Sequence, residues 1–404
     1  MQKPERNNIN RSIIVNTIRN FEKEIRLELQ PGIIMKTLYL HIGIPKTGTT
    51  SIQHFCHENR DILSQNGYFY PDFPFEYIYA GKYRNGSFLE TRYVDREGIR
   101  HTDIEEEYFQ KGLEITRELF MQHDNLIISN EGVWGACFIR KRGIPRMLRL
   151  QEDAKNAGYK VKIIVYLRRQ DEYLLSWYNQ MVKHSINSKN ALTWENYYKD
   201  YKKYVQPDYF KCLKKLEEIF GRENIIVKRF DKKYFKDNSL FADFLDIFNL
   251  ELNDSYSINE ENNNFNPKLS ENTCEIKRII NGSFKMSLEE YRKFEWILNQ
   301  ISPVSEERYP CSMMSPEEMQ EFMQLYENSN NGVASRYFND GQPLFSEKNL
   351  QREKWQKDNV YMADDMIRFS CMSTLYTMRS IENMKDIINH PLHYILHRFK
   401  EKLK

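Results

Sequence analysis

A glycine-bearing loop between an apolar run and a helical run constrains the fold of this chain more than any other feature. Residues 36–43 (Lys-Thr-Leu-Tyr-Leu-His-Ile-Gly) have the apolar character of a buried strand. Residues 43–50 (Gly-Ile-Pro-Lys-Thr-Gly-Thr-Thr) then lead directly into a helical stretch. A strand, a glycine-bearing loop and a helix form the unit that opens many nucleotide-binding α/β folds. Backbone amides at the start of such a helix can bind an anionic phosphate.

Short apolar runs continue to alternate with helical patterns along the chain. The further strands that this pattern predicts are 126–130, 161–167 and 224–230, and the helices are 105–122, 171–183 and 209–220. Such alternation predicts an α/β fold, a P-loop-like three-layer fold with a central, mostly parallel sheet. Residues 67–104 are rich in Tyr, Phe, Gly and Pro, and we expect an irregular segment there that faces a substrate.

The same pattern predicts how the chain is organised. We expect an N-terminal helical extension at 1–34, followed by one domain at 35–404 with an α/β core at about 35–250. Beyond residue 270 the pattern turns helical, so the C-terminal portion at about 270–404 should be helical. Its loops are expected where Asn, Gly and Pro cluster, at 281–282, 330–332 and 389–391.

Composition excludes several classes of protein. The 404 residues include 59 basic and 57 acidic side chains, and the net charge of +2 gives no reason to expect a nucleic-acid binder. No run approaches 18 apolar residues, so no transmembrane segment is expected, and the charges within 13–29 do not fit a signal peptide. The six cysteines lie far apart without a Cys-x-x-Cys pair, as free thiols do in a reducing compartment. We therefore expect a soluble, cytoplasmic protein.

The position of the lysine in the loop indicates which anion it serves. In nucleoside triphosphatases the lysine immediately follows the second loop glycine, but here Thr49 follows Gly48 and the lysine is Lys46. A lysine in mid-loop can reach the bridging oxygen of a phosphate–sulfate anhydride, where negative charge grows as sulfuryl leaves. The two following strands end at Glu131 and Arg168, so neither offers a convincing magnesium-binding Asp. Sulfuryl transfer can dispense with the metal, because a sulfuryl group carries less charge than a phosphoryl group.

Two motifs resemble those of the sulfotransferases that use 3′-phosphoadenosine 5′-phosphosulfate (PAPS). Residues 45–50 fit the P-K-[ST]-G-T-[TS] pattern of their 5′-phosphosulfate loop at every position. Their second signature is an Arg at a strand end with a Ser eight residues later in the next helix, and Arg168 and Ser176 have that spacing. An Arg fork and a helical Ser hydroxyl are also suitable donors to a phosphate dianion. The resemblance covers about residues 35–350.

The resemblance implies an enzyme that moves a sulfuryl group from PAPS to a hydroxyl acceptor and releases adenosine 3′,5′-bisphosphate (PAP). Lys46 would be catalytic, and no metal would be required. The implied PAPS-binding residues are those of the loop and of the second motif: Lys46, Thr47, Gly48, Thr49, Thr50, Ser51, Arg168 and Ser176. Adjacent Arg169 is the alternative to Arg168, and Ser176 could instead be a small packing residue.

The acceptor hydroxyl needs a general base. In cytosolic members of the family, a His at the end of the strand preceding the Arg strand has this role, and here Glu131 occupies that place. Glu131 is therefore the expected catalytic base, with an arginine-paired or helix N-terminal carboxylate as the alternative. His41, inside the first strand, is the second candidate and could be a core histidine. His54 and His57 share a helix face, but two ligands make no metal site, so no metal is expected.

Two features of the sequence bear on the acceptor, and both favour a saccharide. Segments 227–231, 264–270 and 333–338 are similar to bacterial sulfotransferases that modify saccharides. Aromatic side chains that could stack on sugar rings are Tyr68, Tyr70, Phe73, Phe75, Tyr77 and Tyr79. The same rings would also suit a small alcohol, a phenol or a sterol.

Other functions also stay open. A P-loop kinase would use the same loop, but the displaced lysine and the missing aspartate argue against it. A non-catalytic glycan-binding protein could retain the fold. The basic end at 390–404 is either a solvated helix or a peripheral membrane contact, and the sequence leaves the oligomeric state undetermined.

Overall fold

The computed structural model describes residues 35–78, 81, 83–185, 191–258, 267–283, 285–347 and 352–389. The predicted extension at 1–34 and the basic end at 390–404 lie outside the described residues, as does most of the predicted loop at 389–391. Among the described residues, no helix combines the length and the apolar character that crossing a membrane requires.

A sheet of parallel strands forms the centre of the protein. The strands are β1 (Thr37–His41), β2 (Tyr68–Phe69), β3 (Asn125–Ser129), β4 (Lys160–Leu167) and β5 (Ile225–Arg229). They lie in the order β2-β3-β1-β4-β5, and each neighbouring pair is parallel. Every residue of β1 is buried, since strands of a parallel sheet are covered on both faces. The predicted α/β class with a central parallel sheet is confirmed, with β2 as a strand that the sequence pattern did not indicate.

Helices cover both faces of this sheet. In the first part of the chain they are α1 (Thr49–Glu58), α2 (Arg60–Gln65), α3 (Ser87–Glu90), α4 (Thr102–Leu119), α5 (Gly132–Phe138), α6 (Ile144–Ala157), α7 (Gln170–Lys183), α8 (Trp194–Lys199), α9 (Tyr209–Phe220) and α10 (Leu240–Asp246). Phe55 of α1 packs on the face that carries Tyr39, whereas Met147 of α6 packs on the face that carries Leu38 and Leu40. Alternate residues of β1 therefore point to different helical layers.

The C-terminal portion is mainly helical, as predicted. It contains α11 (Glu271–Ser283), α12 (Leu288–Arg308), β6 (Cys311–Ser312), α13 (Pro316–Gln324), α14 (Glu327–Tyr337), β7 (Glu353–Lys354) and α15 (Met362–Asn389). Helix α11 packs against α7, and α14 packs against α9. One hydrophobic cluster includes Leu174 of α7 together with Leu298 and Val333 of the C-terminal portion. The two portions therefore share a core.

The prediction of two loops from clustered Asn and Gly residues was wrong. Residues 281–282 lie in α11, where the amide of Asn281 donates to the carbonyl of Val182 at 2.8 Å. Residues 330–332 lie in α14, where a Cβ on Gly332 would stand 3.0 Å from the ring of Phe210. Tertiary packing thus overrides the local preference of these residues for turns.

The strand order has a topological switch point at the carboxyl end of β1. From β1 the chain passes through α1 to β2 on one side, and from β3 it passes through α5 and α6 to β4 on the other. Because these connections cover opposite faces, the loops after β1 and β3 diverge. Open α/β sheets bind ligands at such a switch point.

Candidate functional site

The loop after β1 ends at the first turn of α1. Gly48 precedes the helix with φ 68°, and Gly43 has φ 33°. A Cβ on Gly48 would lie 2.4 Å from Cδ2 of Leu240, and a Cβ on Gly43 would lie 2.4 Å from Cγ2 of Thr49. Both positions therefore require glycine, for conformation and for space. Gly48 has no side chain to cap the helix, so the first amides of α1 remain suited to an anion.

The other loop residues that the sequence singles out differ in exposure. Thr47 and Thr49 are buried, Thr50 is exposed and Ser51 is half-buried. The hydroxyl of Thr47 donates to the carbonyl of Ile44 at 2.6 Å and so closes the turn. This hydroxyl therefore stabilises the loop, while Thr50 and Ser51 lie at the start of α1 with their amides in its first turn.

Lys46 is held at some energetic cost. Its backbone has φ 74°, a left-handed conformation that is uncommon for residues with a side chain. Burial, together with the charges of Arg168 and Lys183, lowers the pKa of the Lys46 ammonium to about 8. Nζ donates to Oε1 of Gln180 at 3.2 Å. Strain and desolvation at one residue are typical of a functional position.

Arg168 brings the second motif against the first. It follows β4, which pairs directly with β1, and its Nη1 donates to the carbonyl oxygen of Lys46 at 2.9 Å. Its Nε donates to Glu172 at 3.1 Å, and Tyr209 Oη donates to the Arg168 carbonyl at 2.7 Å. The guanidinium thus lies directly beside the glycine-bearing loop.

Arg169, the alternative arginine, has a different environment. Its Nε pairs with the buried carboxylate of Asp171 at 3.0 Å, and its Nη1 donates to the carbonyl of Ser346 at 3.1 Å. These contacts hold Arg169 toward the C-terminal portion. Of the two arginines, Arg168 is therefore the one in contact with the loop.

One face of α7 borders both the lysine and the arginine. Glu172, Ser176 and Gln180 follow one another at four-residue spacing, which places them in one row along a helix. Glu172 contacts Arg168 and Gln180 contacts Lys46, so the half-buried Ser176 lies between two residues that face the site. The sequence interpretation missed Glu172 and Gln180, although counting four residues in each direction from Ser176 finds both.

Glu131 lies on the other side of β1, directly after β3. Its Oε2 accepts from Nε2 of Gln53 at 2.9 Å, and its Oε1 pairs with Arg84. Its side chain is 15% exposed. This is the arginine-paired carboxylate that the sequence left as an alternative. Each carboxylate oxygen still has a second lone pair for an acceptor hydroxyl, so the pairing is compatible with a base.

His41 is a core histidine. It has no exposed surface, and its Nδ1 lies 2.9 Å from Oγ of Ser129, which also accepts from Gln53 Nε2 at 3.2 Å. Burial lowers the pKa of His41 to about 3, so the imidazole is neutral at physiological pH. Of the two candidate bases, Glu131 is the one with exposed surface.

Both histidines of α1 contact the ring of Tyr83. The rings of His54 and His57 lie 4.1 and 4.3 Å from the ring of Tyr83, and His57 Nδ1 is 2.8 Å from Arg60. Within the residues that the structure describes, no group of three or more His, Cys, Asp or Glu side chains could hold a metal ion.

The aromatic residues that follow β1 and α1 separate into two groups. Tyr70 is 1% exposed and belongs to the core, whereas Tyr68 is half-buried and packs against the core on Phe248, with ring centroids 4.8 Å apart. Tyr70 therefore has almost no surface to offer a sugar, and stacking by Tyr68 stays a prediction. Phe73 and Phe75 are only half-buried, as is Tyr77, and Tyr79 lies outside the described residues.

Comparison with known proteins gives little functional information. No family model matches the chain. A protein of Archaeoglobus fulgidus, described as an uncharacterized protein, is 26% identical over 202 residues, which are 49% of this chain and 52% of that protein. The chain thus spans about half the length of this curated relative. The chain is similar to that protein in this part, and the relative's printed description assigns no activity.

Proposed function

We propose that this protein is a PAPS-dependent sulfotransferase that modifies an acceptor hydroxyl, with a saccharide as the favoured class of acceptor. The observation that supports the proposal most is the contact between its two motifs, in which Arg168 Nη1 donates to the Lys46 carbonyl at 2.9 Å. Motifs that are 122 residues apart in the chain meet at the carboxyl ends of two paired strands. This is the edge of the sheet where α/β proteins bind nucleotides.

The loop fits the 5′ end of the donor. The amides of the first turn of α1 can bind the phosphate oxygens, and the glycines leave space for a close approach. The Lys46 ammonium would stabilise the negative charge that develops on the bridging oxygen. An ammonium shielded from water interacts with such charge more strongly than a solvated one.

The second motif fits the 3′ end of the donor. Arg168 forms an ion pair with Glu172, which lies on the row of α7 that contains Ser176. In the proposed complex the guanidinium and the Ser176 hydroxyl donate to the 3′-phosphate. This phosphate distinguishes PAPS from other adenine nucleotides, so Arg168 would supply donor specificity.

Glu131 would complete the reaction from the other side of β1. The acceptor oxygen attacks sulfur, forming a new S–O bond, while the bond from sulfur to the bridging oxygen breaks. The electron pair of that bond stays on the phosphate of PAP, and the hydroxyl proton passes to the Glu131 carboxylate. Gln53 and Arg84 hold this carboxylate in place through one contact to each oxygen.

Location in the cytoplasm belongs to the same proposal. All six cysteines are free, and five of them are buried. Free thiols are typical of proteins from reducing compartments.

Mass spectrometry of acceptors incubated with PAPS tests the proposal. We expect an acceptor to gain one SO3 group with the wild-type protein, and the gain to be lost in Lys46→Ala. PAPS left unchanged by the wild-type protein, across neutral sugars, phenols and sterols, would contradict the assignment.

A further inference from the structure

A cavity of about 380 Å³ is lined in part by Arg84, the ion-pair partner of Glu131. Among the described residues, its walls include Phe73, Phe75, Glu76, Tyr77 and Arg84. These residues belong to the irregular segment between β2 and α3. The volume is within the usual range of small-molecule sites, and none of the contacts already assigned to the nucleotide uses this space.

Hydrogen bonds fix the cavity wall to the end of β3. The Oδ1 of Asn85 accepts from the amide of Ser129 at 2.8 Å, and its Nδ2 donates to the carbonyl of Ile127 at 3.0 Å. The amide of Gly86 donates to the Ser129 carbonyl at 3.2 Å. Glu131 is two residues beyond Ser129, so the cavity and the proposed base are held in one position relative to each other.

Arg84 connects the cavity with the base directly. It lines the cavity and forms an ion pair with Glu131. An acceptor in the cavity therefore lies next to the side chain that orients the carboxylate. Arg168 follows β4, the opposite neighbour of β1, and contacts Lys46 in the loop after β1, so this loop lies between Arg168 and Glu131.

The aromatic wall is supported from behind. The ring of Phe73 packs on Phe88 at 4.6 Å between centroids, and Phe75 packs on Tyr108 at 4.6 Å. Tyr77 contacts Tyr108 at 5.5 Å. Rings held in this way provide a preformed apolar surface for a flat or cyclic ligand.

The charges of the cavity favour one class of ligand. The charged side chains among its described lining residues are Arg84 and Glu76, and Glu131 balances the charge of Arg84. The exposed carboxylate of Glu76 is therefore left without a compensating cation in this described part of the cavity wall. A ligand with its own carboxylate or sulfate would meet a like charge, which selects against it.

We propose that this cavity binds the acceptor and that Glu76 makes it select an uncharged ring over one that carries an anionic group. The inference rests on the proposed sulfuryl transfer and adds the position and charge preference of the acceptor site. Glu76 acts as a specificity residue here and has no part in the chemical step.

A matched pair of sugars tests the inference. The probes are 4-nitrophenyl β-glucoside and 4-nitrophenyl β-glucuronide, which differ only in a hydroxymethyl or carboxylate group on the ring. Their affinities are measured by saturation-transfer NMR with the full chain in the presence of PAP. We expect the glucoside to bind about tenfold tighter, and Glu76→Lys to reduce this ratio to about one or to invert it. Glu114→Lys, an exposed change on α4 outside the cavity wall, should leave the ratio unchanged.

Three results would overturn the inference: binding of neither sugar, a wild-type preference for the glucuronide, or an unchanged ratio in Glu76→Lys. Calorimetric titration of PAP into the same samples separates this failure from that of the proposed function. If PAP binds while the sugars behave in one of these ways, only the acceptor site is wrong. If PAP does not bind, the sulfuryl transfer is wrong, and the cavity loses its role as an acceptor site with it.

Discussion

Replacing Lys46 by methionine should stabilise the protein at neutral pH while removing most of the proposed activity. Burial, with the charges of Arg168 and Lys183, lowers the pKa of the Lys46 ammonium from 10.5 to about 8. At about 1.4 kcal/mol per pH unit, this corresponds to about 3 kcal/mol against the charged form. Partial exposure to solvent reduces the cost to about 2 kcal/mol. Methionine also loses the hydrogen bond to Gln180, worth about 1 kcal/mol, so the net gain is about 1 kcal/mol.

The gain in stability of Lys46→Met should decrease as the pH rises. The unfolded lysine titrates near 10.5 and the folded one near 8, so between these values the unfolded state binds more protons. The free energy of unfolding of the wild type therefore rises with pH through this window, and that of Lys46→Met lacks this contribution. The advantage of the variant should be complete below about pH 8, and by about pH 10.5 the lost hydrogen bond to Gln180 should make the variant the less stable protein.

Urea unfolding at several pH values measures this difference. Lys111→Met, on an exposed position of α4, is the matched control and should show no such pH dependence. Single-turnover sulfuryl transfer by Lys46→Met should fall by about 10²-fold or more, as for a lost transition-state donor. A variant less stable than the wild type at neutral pH, or a difference that is constant with pH, would refute the reasoning about Lys46.

Three further substitutions test the remaining parts of the site. Arg168→Ala should weaken PAP binding by about 1.5–3 kcal/mol in calorimetry, the value of a charged hydrogen bond, whereas Arg169→Ala should not; equal losses would reassign the 3′ site. Glu131→Gln should lower turnover by about 10²–10⁴-fold with PAP affinity unchanged, and wild-type turnover would exclude it as the base. Gly48→Ala would place a side chain at a left-handed φ and against Leu240. It should lower the free energy of unfolding by about 2 kcal/mol or more, whereas Gly67→Ala should lower it by about 1 kcal/mol. Gly67 has φ 85° and open space within 4 Å of the position that a Cβ would take, and equal costs would mean that the loop is not tightly packed.

The sequence predicts the backbone of this site well. The loop at 43–50 is recognisable because glycines interrupt the pattern between an apolar strand and a helix. Glu131 and Arg168 follow apolar runs that are strands in the structure, and parallel strands bring their carboxyl ends to one edge. The sequence therefore shows that the residues after these strands lie at the same edge of the sheet, even though it does not give the order of the strands.

Side-chain partners could not be predicted in the same way. The pairing of Arg84 with Glu131 joins residues 47 positions apart, and it depends on how an irregular segment folds over β3. The environment of Arg169 depends on Ser346, which lies 177 positions away. Such contacts arise from tertiary packing and leave no local pattern. The four-residue spacing of Ser176 and Gln180, in contrast, is visible in the sequence. Residues four positions before and after a candidate on a helix are therefore candidates too.

Calorimetric comparison of PAP with Mg-ATP, using the wild-type chain, tests the central claim most directly. We expect PAP to bind in metal-free buffer, and at least about tenfold tighter than Mg-ATP binds when magnesium is present. Tighter binding of Mg-ATP would contradict the proposed sulfuryl transfer, because the lysine would then serve a nucleoside triphosphate.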